Sequence, residues 1–122
     1  MDHVGRTDDP AARQDLAAIA TDILAARALT NRAVRRAQAG MAPGPEGSIA
    51  KLCFSSNVSR ASNFAADLLG QQIVADSGEW GTFSWNQLLL AAPALRILGG
   101  TEEIMKNIIA ERVLGLPKEA AK

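Results

Sequence analysis

Apolar residues recur along this chain at three- and four-residue steps, interrupted by short clusters of glycine and proline. Leu16, Ile19, Ile23, Ala26, Thr30 and Val34 form one such stripe. This spacing keeps side chains on one face of an α-helix and predicts a long helix. Asp9 followed by Pro10 marks its start, a capping carboxylate before a proline at the first helical position. The helix is expected to reach about Ala39, with Gly40 as a left-handed stop. Arg27, Arg32, Arg35 and Arg36 gather towards its C-terminal half, where positive charge complements the helix dipole. The arginines at 32, 35 and 36 read as a solvated face. Residues 1 to 8 read as a loose lead-in.

The run "GMAPGPEG" (40–47) prevents helix propagation. A second long helix is expected from residue 48 to about 75, with Ile49, Leu52, Cys53, Phe64, Leu68 and Leu69 on its apolar side. Its middle, "SSNVSRASN" (55–63), is small and polar, which suits close approach of a neighbouring helix. "ADSGEWGTF" (75–83) reads as a loop. "SWNQLLLAAPAL" (84–95) predicts a short, mostly buried helix that Pro93 ends or bends. Gly99 and Gly100 then lead into a last helix. Thr101 is its N-cap, Glu102 and Glu103 lie in the positive first turn, and Ile104, Met105, Ile108, Ile109 and Val113 form its apolar face. Gly115 and Pro117 stop it. The fold class that follows is all-α, an up-and-down helical bundle over residues 9–117 with a solvated tail at 118–122. Its core is thin, and another helix or subunit would complete it.

Composition narrows the function. The chain has 122 residues, enough for one domain, and a formal net charge of zero. Such a balance argues against nucleic acid or an anionic membrane surface as partner. No apolar run is long enough to span a bilayer, and the N-terminus has no apolar secretion core. A single cysteine, Cys53, excludes an internal disulfide and fits a cytoplasmic setting. Cys53 lies on an apolar stripe and reads as a buried structural thiol. His3 is the only histidine, lies off the packed elements, and leaves no metal-site spacing and no histidine-based catalytic group. Glu102 and Glu103 are adjacent, so on a helix they point about 100° apart and cannot face each other as a carboxylate pair. Trp80 and Trp85 flank a loop and read as packing or interface residues. The remaining candidate is the turn at 99–101. Two glycines permit positive φ and close approach of another molecule, and a helix entrance favours an acceptor. The two glutamates argue against an isolated phosphate there.

These residues also carry a resemblance. "LGGTEEIMKNIIAERVLGLP" (98–117) resembles the C-terminal signature of acyl-CoA dehydrogenases, where an x-Gly-Thr-x-Glu/Gln-Ile turn opens the last helix. "PGPEGSIAKL" (43–52) and "AADLLG" (65–70) resemble the entry and later part of the preceding long helix. The likeness runs from about residue 8 to the end and is nearest to the branch that degrades steroid and other bulky acyl-CoA thioesters. It implies the second to fourth helices of a C-terminal four-helix domain, without the N-terminal helical and middle β domains that hold most of the flavin and acyl pocket.

The resemblance implies FAD as cofactor and an acyl-CoA as substrate. A carboxylate takes the α proton while the flavin accepts hydride from the β carbon. It implies Gly100, Thr101 and Glu103 as cofactor contacts, and Gln71 and Gln72 as contacts to FAD of a neighbouring subunit. There the family's glycines are replaced by Ile73 and Val74. The family's catalytic glutamate position holds Gly99, so no residue of this chain is expected to be the base. The chain alone is expected to be inactive and to associate as a homo- or hetero-oligomer with dehydrogenase subunits. The alternative is a non-catalytic helical module that docks on a complete subunit.

Overall fold

The computed structural model describes residues 1–42, 44–74, 76–78 and 82–118. It contains four α-helices: α1 (Pro10–Gln38), α2 (Glu46–Leu69), α3 (Thr82–Leu95) and α4 (Glu102–Arg112). Short 3-10 turns at Asp2–Val4 and Gly70–Val74 complete the order, and no strand occurs among the described residues. The all-α class is as the periodicity predicts. α2 is the central element, with α1, α3 and α4 each packed against it.

Local chemistry sets the ends of α1. Asp9 Oδ1 accepts from the amides of Ala11 and Ala12 at 2.9 and 3.1 Å, satisfying two of the donors a helix start leaves open. At the other end Gly40 adopts φ 70°. Its amide donates to Ala37 O at 3.0 Å and the Met41 amide to Arg36 O at 3.1 Å. Those two bonds make the Schellman closure.

α2 begins at Glu46, two residues before the expected start, and a tertiary contact is the reason. The Glu46 carboxylate is buried (8% exposed) and lies 3.5 Å from Arg36 Nε and 3.8 Å from Arg32 Nε. The arginine cluster is therefore not simply a solvated face. Arg36 and the more distant Arg32 tie the α1–α2 hairpin together, while Arg32 and Arg35 both remain exposed. α2 stops at Leu69 rather than near 75, because Gly70 takes φ 54° and ψ −127° and the chain tightens into the 3-10 turn. Ser55 and Ser62 are almost fully buried. Their hydroxyls donate back to Leu52 O and Ser59 O at 3.2 and 3.0 Å, so small side chains line the closely packed side of α2 with their polar atoms satisfied.

α3 runs antiparallel to α2. Lys51 Nζ donates to Leu95 O at one end (2.9 Å), and Asn86 Nδ2 donates to Ile73 O at the other (2.7 Å). Pro93 does not end the helix, which continues to Leu95. It sits in the last turn, where the missing N–H removes one bond only. Nor is α3 mostly buried: Leu90 is 73% exposed, and Thr82 and Ala92 are its buried residues. It packs on α2 and on the 3-10 turn at Gly70–Val74, so only part of its surface is covered. The same holds for α4, where Met105 is buried while Ile104 and Val113 are exposed. Cys53 is half-buried rather than enclosed.

The lead-in is ordered rather than loose. Arg6 donates to Asp9 Oδ2 through Nε at 3.0 Å and to Asp67 O through Nη1 at 3.3 Å. Met1, His3 and Val4 close one side of an apolar cavity of about 230 Å³ whose other walls include Leu16, Phe64 and Trp85. Trp80, part of the 75–83 loop and most of the tail at 118–122 lie outside the described residues. Since Ser62 has no room to spare, Ser62→Leu is expected to destabilise the chain by about 1–3 kcal/mol through overpacking. Urea denaturation checks this, and an unchanged midpoint would show that α2 has slack at this position.

Candidate functional site

The handover from α3 to α4 is built by four residues that need unusual backbone or paired charge. After Leu95 the chain makes a tight turn, with Arg96 N donating to Pro93 O (3.2 Å) and Leu98 N to Ala94 O (3.0 Å). Gly99 and Gly100 follow with φ 71° and 105°, values that side chains with a Cβ rarely adopt. At Gly100 a Cβ would also lie 2.5 Å from Met105 Cε. Part of the need for glycine is thus internal, because the buried Met105 folds beneath the turn. At Gly99 no atom lies within 4 Å of a Cβ position, so this residue borders open space.

Thr101 then turns extended (φ −67°, ψ 162°) and caps α4, its hydroxyl accepting from Ile104 N at a long 3.4 Å. Glu102 is held from the other side of the turn. Arg96 donates to it twice, Nε to Oε1 at 2.7 Å and Nη2 to Oε2 at 2.9 Å. Only 13% of the Glu102 side chain is exposed, against 56% of Arg96.

The electrostatics follow from this geometry. The Arg96 hydrogen bonds hold the Glu102 carboxyl below the ordinary glutamate range, aided by the charges of Lys106 and Lys51 and opposed by partial burial. The guanidinium of Arg96 is raised in turn by Glu102. Glu103 is also lowered, first by its own backbone amide and then by the Thr101 hydroxyl. Two carboxylates with depressed pKa are weak proton acceptors.

Pro93, Arg96, Ile97, Thr101, Glu102 and Glu103 line an open cleft of about 260 Å³. Thr101 and Glu103 therefore share one surface, with Gly100 next to them in the chain but not in the cleft wall. Gln71 and Gln72 lie elsewhere. They are exposed on the 3-10 turn that packs on α3 near Asn86, nine residues and about 14 Å of helix from Leu95. Lys51 and Arg96 went unmarked in the sequence. The opposite charges at 96 and 102 flank the glycine pair and are a readable signal. The Lys51 contact to Leu95 O is tertiary and has no local trace. Among the described residues no group of His, Cys, Asp and Glu is placed to hold a metal ion. No helix there is long and apolar enough to cross a membrane.

Comparison with known proteins agrees with this architecture. The family profile described as acyl-CoA dehydrogenase, C-terminal domain, matches residues 4–114. The acyl-CoA dehydrogenase IpdE1 of Mycobacterium tuberculosis is 36% identical over 114 residues, covering 93% of this chain and 29% of that protein. The protein of the same name from Mycolicibacterium smegmatis is 34% identical over 116 residues, covering 94% of this chain and 28% of that protein. The chain thus spans less than a third of the relatives it matches. No solved structure matches.

The lowered Glu102 carboxyl sets a pH signature. A depressed folded-state pKa adds stability that is present above the unfolded value, about 4.3, and is lost as pH falls through the folded value. Glu102→Gln is therefore expected to flatten the decline in thermal midpoint below about pH 4.3. A decline as steep as in the wild type would show that the Arg96 pair does not persist in solution.

Proposed function

Because the chain belongs to the acyl-CoA dehydrogenase family through that family's C-terminal domain, we propose that it serves as the C-terminal helical part of a flavin-dependent acyl-CoA dehydrogenase, with the turn at Gly99–Thr101 lying against FAD. The observation that carries this reading is the pair of positive-φ glycines leading into α4, followed directly by Thr101 and Glu103 on the wall of an accessible cleft. The donor set suits an uncharged part of the nucleotide, such as a ribityl hydroxyl or a ring carbonyl. Helix-start amides donate and Gly100 brings main chain within contact distance, while the Thr101 hydroxyl is engaged by Ile104 N and Glu103. A pyrophosphate fits poorly beside the carboxylates of Glu102 and Glu103.

When bound, FAD supplies the hydride acceptor for the acyl β carbon. The residues of this chain bind and orient. Gly99 stands where the resemblance puts the catalytic glutamate and has no proton-accepting group, so on this reading the α-proton base lies outside this segment. Gln71 and Gln72, at the far end of α3, face FAD of a neighbouring subunit on this reading. The substrate is an acyl-CoA thioester, with the steroid or bulky-acyl preference that the motifs suggest.

Exposed Leu24, Leu90, Ile97 and Leu98 provide apolar area for assembly with dehydrogenase subunits, as homo- or hetero-oligomer. The thin core and Gly99 also suit a second reading, a non-catalytic module that docks on a complete subunit.

Flavin retention by the assembled dehydrogenase tests the contact. Gly100→Ala is expected to weaken FAD binding at least about tenfold, or ~1.4 kcal/mol, and the chain purified alone is expected to be colourless. Undiminished FAD affinity in the variant would remove the turn from the cofactor site. In the same assembly Glu103→Gln is expected to leave the acid limb of the pH–rate profile in place, and its disappearance would make Glu103 the base.

A further inference from the structure

Glycine loses more conformational freedom on ordering than any other residue, and two in succession make the α3–α4 turn the most permissive backbone near the cleft. Something must restrict it. Arg96 is on the α3 side of the glycines and Glu102 on the α4 side, and their two parallel hydrogen bonds of 2.7 and 2.9 Å close the loop between them. The α3 side is itself anchored, since Lys51 of α2 donates to Leu95 O at 2.9 Å. The α4 side is anchored by Met105, buried under Gly100, whose amide also donates to Thr101 O at 3.0 Å. Each end of the turn is thus fixed to the body, and the Arg96–Glu102 pair fixes the ends to each other.

We propose that the Arg96–Glu102 ion pair is a positioning clasp that holds Gly99, Gly100 and Thr101 in the shape that meets the flavin. The proposal rests on the reading of the turn given above. An ion pair with a half-exposed arginine contributes little to global stability. Its effect is local: a turn already in its bound shape gives up less freedom on binding, so affinity rises without a new contact. The planar fork of arginine matches both carboxylate oxygens, which a lysine cannot do. Arg96 and Glu102 act through the turn rather than on the reacting atoms.

Two measurements test it, with Arg96→Gln, Glu102→Gln and Arg96→Lys. In the 122-residue chain, amide exchange at Leu98, Ile104 and Met105, whose amides are bonded at the two ends of the turn, is expected to quicken about three- to fivefold in the two Gln variants, as a pair of this exposure allows. Arg96→Lys keeps part of the protection, and thermal midpoints at neutral pH fall only by the small amount an exposed pair contributes, the same amount by which Glu102→Gln flattens the acid decline. In the assembled dehydrogenase the Gln variants are expected to weaken FAD binding by a similar factor, with Arg96→Lys between them and the wild type. Unchanged exchange in both Gln variants overturns the clasp, whatever the flavin does. Faster exchange with unchanged FAD affinity also overturns it. Gly100→Ala separates that outcome from failure of the underlying reading. If Gly100→Ala still loses FAD, the turn meets the cofactor without the clasp; if it does not, the cofactor contact itself is wrong.

Discussion

Two consecutive residues with positive φ, Gly99 and Gly100, determine how α4 enters the fold. An L side chain at either position works against the backbone, and at Gly100 it also meets Met105. The cap at Thr101, the burial of Met105, the pairing of Arg96 with Glu102 and the open cleft all presuppose this turn. Its glycines therefore have an internal reason to exist. They also leave an exposed rim at Gly99 where main chain can meet another molecule. The two roles are compatible, because Met105 occupies the space at Gly100 while the space at Gly99 is open.

Much of the helical framework was legible because it is local chemistry. Asp9–Pro10, Gly40, Thr101 and Gly115 act within a few residues of themselves, and each end lies where capping and left-handed stops put it. The small polar middle of α2 was legible as a packed segment because Ser55 and Ser62 leave room for a neighbour. What escaped was tertiary. Glu46 starts α2 early because Arg32 and Arg36 reach it from α1. The lead-in is ordered because Arg6 reaches Asp67. Pro93 is tolerated because it falls in a last turn, which requires knowing where the helix ends. At the site, Gly100, Thr101 and Glu103 were found together from the motif, whereas Lys51 was invisible until α2 and α3 were seen side by side.

The apolar stripes misled in one consistent way. A three-four periodicity says which face of a helix avoids water, not what covers it. α4 rests on α2, and α3 on α2 and the 3-10 turn after it, so Leu90, Ile104 and Val113 remain in solvent. A domain with one central helix and single-sided neighbours has more apolar surface than it can bury by itself. The chain spans under a third of its relatives' length, and on the proposed reading dehydrogenase subunits cover this surface.

The most direct test is the structure of the assembled dehydrogenase with FAD bound, read at one distance: from the Gly100 or Thr101 backbone nitrogen to the nearest acceptor of the flavin nucleotide. A separation of about 3 Å, that of a hydrogen bond, is predicted. A turn that faces bulk water with the nucleotide held elsewhere would contradict it.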